Sequence, residues 1–443
     1  MTRRSLSVSA FLVAVLGAAL PIAVAAQGGA AATGAAARAA ALATARAHAI
    51  ELLSSTPLVD GHNDLPWTIR EQAGIERDVE AYDLRKRTPH QTDIARIRAG
   101  RLGGQFWSVY IPGEIRDSGY ARVQIEQIDI ARRVIAKYPE VFTQASTAAD
   151  MRAAFRNNRV GSLLGMEGGH AIENSLGALR VYYDLGVRYM TLTHNVTLDW
   201  ADAALDSAKH GGLTNFGREV VREMNRLGML VDLSHVSPSV MSNALDVTES
   251  PVIFSHSSAR AIVDHPRNVP DSILKRLPKN GGVVMVTFVP SFDSPAIRAR
   301  SEARTRMQAT LRQRFGRDEA SVARELRAWE GVNPAPKATL ADVANMIDHV
   351  KKTSSADNVG IGSDFDGVDD ELPEGLQDIS NFPDLFAELI LRGWSDADLR
   401  KLAGENVLRA LETAEQVSTR LKRERAPSTK TIEQLDGRPR AKM

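Results

Sequence analysis

The stretch Pro57-Leu58-Val59-Asp60-Gly61-His62-Asn63-Asp64 decides the fold: a short apolar run ends in an imidazole close to a carboxylate. In a β-strand, residues two apart point to the same side, so His62 and Asp64 face one side together. This pair suits a borderline divalent cation such as zinc. Because one such triplet at a strand end is common, the metal interpretation depends on further ligand-type residues elsewhere in the chain.

Apolar runs that end in a residue of ligand type recur downstream of this stretch. They end in Glu167, His194, His235, His256 and Asp364. Any one of these polar ends has a plainer explanation, for a histidine that of a core side chain satisfied by one hydrogen bond. Six strand ends that carry His, Asp or Glu are not explained in that way, and they indicate a shared site.

The apolar runs predict an α/β fold, a (β/α)8 TIM-type barrel. Near-continuous apolar runs are typical of parallel strands buried on both faces, and segments of helical periodicity separate most of them. The eight predicted strands are 57–62, 104–111, 160–167, 189–194, 229–235, 251–256, 282–289 and 358–364. A doubly wound open sheet is the alternative, but it usually carries a glycine-rich phosphate loop, which this sequence lacks. In a barrel, the ligand-type residues meet at the carboxyl ends of the strands.

The chain is predicted to contain four segments and one insertion. Residues 1–26 are interpreted as a secretory signal peptide, because Arg3-Arg4 precede an apolar run. This segment predicts a periplasmic or secreted protein, exported by the Sec or the twin-arginine route. The remaining segments are an Ala/Gly-rich linker at 27–47 that runs into a helix over about 35–54, a catalytic domain at 48–421 and a disordered tail at 422–443. Within the catalytic domain, a helical insertion is predicted at 290–337, between the seventh and eighth strands.

Composition excludes several classes of protein. The chain has 443 residues, 25% of them charged, and a net charge of +1, with no basic block of the kind that binds nucleic acid. It has no cysteine, so a metal site must use nitrogen and oxygen ligands. No hydrophobic segment closes the chain, so no membrane anchor is expected in the mature protein.

The candidate ligands outnumber the three that a mononuclear catalytic zinc needs, so two metals are predicted. Glu167 is able to bridge two cations, with His235 and His256 completing the second site, and a water or hydroxide held between the cations becomes a nucleophile near neutral pH. His194 is a candidate oxyanion donor. For the proton relay the pattern leaves Asp364 and Asp366 open.

Arg267 is a further candidate, because it lies in a proline-bounded loop after the sixth strand. A guanidinium held over a barrel mouth suits bidentate binding of a substrate carboxylate, although an exposed surface arginine is the plainer explanation.

Seven motifs over about residues 50 to 415 resemble the membrane (renal) dipeptidase family of the amidohydrolase superfamily. They are Asp60-Gly61-His62-Asn63-Asp64, Gly165-Met166-Glu167-Gly168, Leu192-Thr193-His194-Asn195, Asp232-Leu233-Ser234-His235, Phe254-Ser255-His256-Ser257, His265-Pro266-Arg267-Asn268 and Gly362-Ser363-Asp364-Phe365-Asp366-Gly367.

The resemblance implies a metallo-dipeptidase that hydrolyses dipeptides, L,D-dipeptides included, with two Zn²⁺ ions. His62, Asp64 and Glu167 are expected to bind one zinc, and Glu167, His235 and His256 the other. His194, Arg267 and Asp364 are expected to bind substrate, and Asp364 is favoured over Asp366 as the proton shuttle.

The resemblance also suggests a homodimer. The 290–337 insertion suits a partial lid, an oligomer contact or a solvated helix pair. It therefore leaves undecided both the dimer contact and the route by which substrate reaches the site. Two other functions stay open from the residues alone. One is phosphotriester or lactone hydrolysis on the same metals, and the other is metal-dependent binding without catalysis.

Overall fold

A computed structural model describes residues 22–115, 119–368 and 372–437. The chain divides into two units, residues 1–44 and 45–443. The described part of the first unit is one helix, which continues to Ser55 in the second unit (α1, Ile22–Ser55). Most of the predicted signal peptide, residues 1–21, lies outside the described residues. The helix starts at Ile22, in the last residues of the predicted signal peptide and before the predicted 35–54. It runs through the segment interpreted as a linker, because the alanines of that segment favour helix.

The strands of the second unit close into a barrel. They are β1 (Leu58–Asn63), β2 (Leu102–Ser108), β3 (Phe142–Gln144), β4 (Val160–Glu167), β5 (Val187–Thr191), β6 (Leu230–Asp232), β7 (Val252–Phe254), β8 (Val283–Val286) and β9 (Val359–Ile361). All pairs are parallel; β2 pairs with β4, and β9 pairs with β1 to close the ring. The short β3 pairs with the start of β4, outside the ring of eight. The predicted (β/α)8 barrel is confirmed.

Helices surround the barrel, and several of the shorter ones lie in its loops. They are α2 (Leu65–Glu71), α3 (Ile94–Ala99), α4 (Tyr120–Lys137), α5 (Ala148–Arg156), α6 (Leu176–Asp184), α7 (Asn215–Leu227), α8 (Pro238–Val247), α9 (Asp271–Leu274), α10 (Leu277–Asn280), α11 (Pro290–Asp293), α12 (Pro295–Phe315), α13 (Glu319–Val332), α14 (Leu340–Thr353), α15 (Phe382–Leu391), α16 (Asp396–Arg400), α17 (Asn406–Glu424) and α18 (Ile432–Asp436). None of the described helices is both long enough and apolar enough to cross a membrane.

The barrel strands are apolar on both faces because each face packs against a separate core. In β4, Leu163 belongs to the cluster inside the barrel, whereas Leu164 packs with the surrounding helices. This alternation follows the two-residue period of a strand. The inner cluster also includes Leu408 and Leu411 of α17, so this helix closes the amino-terminal end of the barrel and the carboxyl ends form the mouth.

The predicted insertion is helical and separates β8 from β9. Helices α12 and α13 form a hairpin with a small core of its own, centred on Leu311, Val322 and Leu326. Its first turn, α11, connects it to the barrel mouth.

Two further sequence predictions differ from the structure. The short strand β3 was missed, because three residues carry too little pattern. The disordered tail was wrong for residues 422–437, of which α17 and α18 take up a large part. A capping box at Thr431 starts α18, its Ile432 is buried, and the Asp436 carboxylate accepts hydrogen bonds from the backbone of Asn215 and Phe216 at the start of α7. The tail beyond residue 437 lies outside the described residues.

Candidate metal centre and active site

The predicted ligands converge at the barrel mouth, but most of them lie just beyond the strands. His62 and Glu167 belong to β1 and β4. His194, His235 and Asp364 stand three residues past the last residues of β5, β6 and β9, and His256 stands two past β7. The strands β5, β6, β7 and β9 end earlier than predicted, because the chain turns before these residues and brings their side chains together.

Glu167 lies at the centre of the cluster, with its two carboxylate oxygens facing different partners. Its Oε2 lies 3.3 Å from His62 Nε2. Its Oε1 lies 2.9 Å from His235 Nε2, 3.4 Å from His256 Nε2 and 3.8 Å from His194 Nε2. The carboxylate therefore divides the site into two positions, one for each oxygen.

The position at Oε1 has the donor set of a cation site. The Nε2 atoms of His235 and His256 face each other at 2.9 Å. His235 Nδ1 lies 3.0 Å from the side-chain oxygen of Asn195, an acceptor, so Nδ1 carries the proton and Nε2 offers a lone pair. Lone pairs that converge on one point need a positive charge between them.

The position at Oε2 has unpartnered ligand atoms. His62 Nε2 lies 3.1 Å from Asp64 Oδ2, while its Nδ1 lies 2.8 Å from the hydroxyl of Tyr189. His62 Nε2 and Asp64 Oδ1 are both buried without a hydrogen-bond partner. Buried polar atoms of this kind are costly unless a ligand satisfies them. The nitrogen and oxygen donors of both positions fit a divalent cation such as zinc.

Electrostatics supports these positions. Burial disfavours a charged Glu167, yet the surrounding imidazoles, His62 first, hold the pKa of its carboxyl well below the usual range. Burial opposes protonation of His62, but Tyr189 and the nearby carboxylates raise its pKa well above its usual value. Burial lowers the pKa of His235 and His256 far enough to keep both neutral, the form that binds metal. A cation would take the place of the proton on His62.

The backbone at the site is held in an unusual conformation. His235, Asp364 and Asp366 have φ values of 66°, 66° and 63°, in the left-handed region that non-glycine residues rarely adopt. Gly367 leaves room for the acidic side chains, since a Cβ there would clash with Asp64 Oδ2 and lie 2.8 Å from Asp364 Oδ1. Strain of this kind persists where the surrounding structure enforces it, and it clusters at functional sites.

The structure distinguishes the two aspartates that the sequence left open. Asp364 faces the cluster, with Oδ1 3.9 Å from His62 Nε2. Burial, then the charges of Asp64 and Glu167, raise the pKa of its carboxyl to about 7, against the opposing effect of His62. Asp366 instead accepts hydrogen bonds from the Thr92 hydroxyl and the Gln91 backbone. Only the carboxylate of Asp364 points at the predicted ligands.

Arg267 is buried at the edge of a cavity of about 690 Å³ that opens over the cluster. Its guanidinium donates to the carbonyl of His256 at 3.3 Å and lies 5.5 Å from the centre of the Phe292 ring. Burial lowers the pKa of Arg267 to about 10, so it remains charged at neutral pH. His194 lines the same cavity, and its Nδ1 is buried without a partner.

Sequence reasoning missed the residues that support the ligands and line the cavity. Tyr189 points into the barrel beneath His62, and Tyr110 packs on His194 with ring centres 4.7 Å apart. Trp67 and Phe292 complete the apolar walls. Tyr110 lies near the end of a predicted strand, which was a usable signal, whereas Phe292 reaches the site only because α11 folds over the mouth.

Comparison with known proteins gives consistent matches. Residues 46–425 match the family described as membrane dipeptidase (peptidase family M19). A protein of Schizosaccharomyces pombe named as an uncharacterized dipeptidase is 40% identical over 391 residues, which cover 84% of this chain and 83% of that protein.

Two solved structures are also similar. The probable dipeptidase PvdM from Pseudomonas aeruginosa has a TM-score of 0.72 and 26% identity, and the match covers 84% of this chain and 99% of PvdM. Dipeptidase AC, a metallo peptidase of family M19, has a TM-score of 0.67 and 25% identity, over 81% of this chain and 98% of its own.

Proposed function

The chain belongs to the membrane dipeptidase family (peptidase family M19) and is a metallo-dipeptidase. On that premise, we propose that it hydrolyses dipeptides, L,D-dipeptides included, with two zinc ions that share Glu167 as a ligand. The observation that carries this proposal is that the two carboxylate oxygens of Glu167 face different histidines. One oxygen lies 3.3 Å from His62 and the other 2.9 Å from His235. A carboxylate shared in this way suits a pair of cations.

In this proposal each cation has its own ligands. His62, Asp64 and Glu167 hold the first, and Glu167, His235 and His256 hold the second. When bound, the zinc ions supply an activated water as nucleophile and polarise the scissile carbonyl.

Arg267 and His194 orient the substrate. The buried guanidinium of Arg267 binds the free carboxylate at the C-terminus of the dipeptide, because a buried cation facing a cavity favours an anion there. His194 lies at the cavity wall 3.8 Å from Glu167 Oε1, where its Nε2 is placed to donate to the carbonyl oxygen as that oxygen gains charge.

Asp364 moves the proton. Its Oδ1 lies 3.9 Å from His62 Nε2, and the carboxylate would take a proton from the attacking water and deliver it to the leaving nitrogen. Without a cation, burial raises the pKa of this carboxyl to about 7, and a carboxyl with a raised pKa suits proton transfer near neutral pH.

The test is a metal titration combined with a substrate screen. Metal-free protein should take up two equivalents of zinc and regain hydrolysis of L,L- or L,D-dipeptides. A stoichiometry that stays at one contradicts the bridged pair. Hydrolysis of phosphotriesters or lactones in preference to dipeptides contradicts the substrate assignment.

We also propose that the chain is exported and forms a homodimer. Export rests on Arg3-Arg4 and the apolar run after them, and the homodimer rests only on the resemblance to the membrane dipeptidase family. Fractionation of the native host should place the processed protein outside the cytoplasm, and light scattering should give twice the chain mass. Recovery of full-length protein in the cytoplasm contradicts export, and a monomer mass contradicts the dimer.

A further inference from the structure

A buried carboxylate outside the ligand set contacts the loop ends that carry two of the histidines. Asp232 is the last residue of β6, and it is fully buried. Its Oδ1 accepts hydrogen bonds from the backbone N–H groups of Ser234 at 3.1 Å and Ser255 at 2.8 Å. Its Oδ2 accepts from the hydroxyls of Thr191 at 2.5 Å and Ser255 at 2.6 Å.

The hydroxyl of Ser255 connects this carboxylate to a metal ligand. Ser255 Oγ lies 2.9 Å from Nδ1 of His256. A hydroxyl has one proton, and a carboxylate only accepts. Because Ser255 donates its proton to Asp232, it is left with a lone pair towards the imidazole, and Nδ1 of His256 must be the donor of that bond.

We infer that Asp232 is a positioning residue that fixes the tautomer of His256 through Ser255. With the proton on Nδ1, the Nε2 lone pair of His256 faces Glu167 Oε1 and His235 Nε2, at 3.4 and 2.9 Å. This is the form that binds a cation. The inference rests on the proposed two-zinc function and names a residue that sets the occupancy of one of its two positions.

The substitution Asp232→Asn tests this directly, because the structure dictates how the amide sits. The two backbone N–H groups that face Oδ1 require an oxygen there, which places the NH₂ group opposite the two hydroxyls. The amide then donates to Ser255, the Ser255 hydroxyl turns to donate to Nδ1 of His256, and the imidazole proton moves to Nε2. The lone pair that binds the cation is lost, although the shape of the core is unchanged.

The expected result is selective loss of one zinc. In D232N, the site formed with His235 and His256 should weaken by roughly 10–100-fold, the usual cost of a lost supporting contact. The site with His62 and Asp64 should keep its affinity. Zinc stoichiometry at fixed free zinc and chelator competition measure both constants without an activity assay.

Two further variants guard against a general folding defect. Ser255→Ala removes the connection and keeps Asp232, and it should weaken the same site. Thr287→Val is the matched control, since Thr287 follows β8 as Ser255 follows β7, is buried, and has a hydroxyl without a partner. It should bind two zinc ions as the wild type does.

The outcomes separate the inference from the proposed function. A wild type that never binds two zinc ions overturns the proposed function and the inference with it. If the wild type binds two zinc ions and the D232N and S255A variants also bind two with unchanged affinity, the inference alone is overturned. If D232N does not fold, the comparison of S255A with T287V decides, and equal zinc affinities overturn the inference.

Discussion

Replacing Arg267 by methionine should separate recognition of the substrate carboxylate from the chemistry. Arg267 is 1% exposed, and the hydrogen-bond partners of its guanidinium are neutral, the Ser257 hydroxyl at 3.5 Å and the His256 carbonyl at 3.3 Å. Within the described ranges no carboxylate lies close enough to form an ion pair with it. A substrate carboxylate in the cavity is therefore its first full charge partner, and methionine keeps most of the buried stem.

The expected magnitude comes from this geometry. A hydrogen bond to a charged group contributes about 1.5–3 kcal/mol, which corresponds to a drop of roughly 10–150-fold in kcat/KM for a free dipeptide. The C-terminal amide of the same dipeptide lacks the charge, so it should be a poor substrate for the wild type and lose little in the variant. Steady-state kinetics on the acid and amide pair measures the difference.

The pH dependence gives an independent check. Burial lowers the pKa of Arg267 to about 10, so its charge is present at neutral pH and is lost as the pH rises through that value. The preference of the wild type for the acid over the amide should therefore fall above about pH 10. Arg260→Met is the control on the same loop, because this side chain donates to the His265 carbonyl and does not line the cavity. Equal cleavage of acid and amide by the wild type would refute the assignment.

Three other substitutions test the site and the tail. Asp364→Asn should keep both metals and lose roughly 10²–10⁴-fold in kcat, because an amide relays no proton. The kcat of Asp366→Asn should stay near that of the wild type per folded molecule. A larger loss of kcat in Asp366→Asn than in Asp364→Asn would move the proton relay to Asp366. Gly367→Ala places a Cβ against a ligand oxygen of Asp64 and should abolish activity, whereas Gly331→Ala, with open space around it, should leave activity intact; an active Gly367→Ala variant would show that the acidic ligands tolerate displacement. Asp436→Ala removes the acceptor of the Asn215 and Phe216 N–H groups in the first turn of α7. It should lower the free energy of unfolding by about 0.5–2 kcal/mol, measured by urea denaturation, and an unchanged stability would mean that the tail does not support the barrel.

The sequence alone determined the barrel and predicted which polar residues meet at its mouth. The eight apolar runs were sufficient because a strand buried on both faces has no polar face, a pattern that survives without tertiary information. Their polar ends were readable for the same reason, because His62 and Glu167 stand at the ends of largely apolar stretches. The helical insertion at 290–337 was also visible, from its charge and periodicity.

Tertiary structure decided which groups act together and in which form. The choice between Asp364 and Asp366 depends on which carboxylate the Thr92 hydroxyl engages, and these residues are far apart in sequence. The support of His256 by Asp232 through Ser255 likewise depends on hydrogen bonds between neighbouring strands. A sequence pattern indicates whether a side chain is buried, but hydrogen-bond partners and tautomers are fixed only when chain-distant donors and acceptors meet in one place.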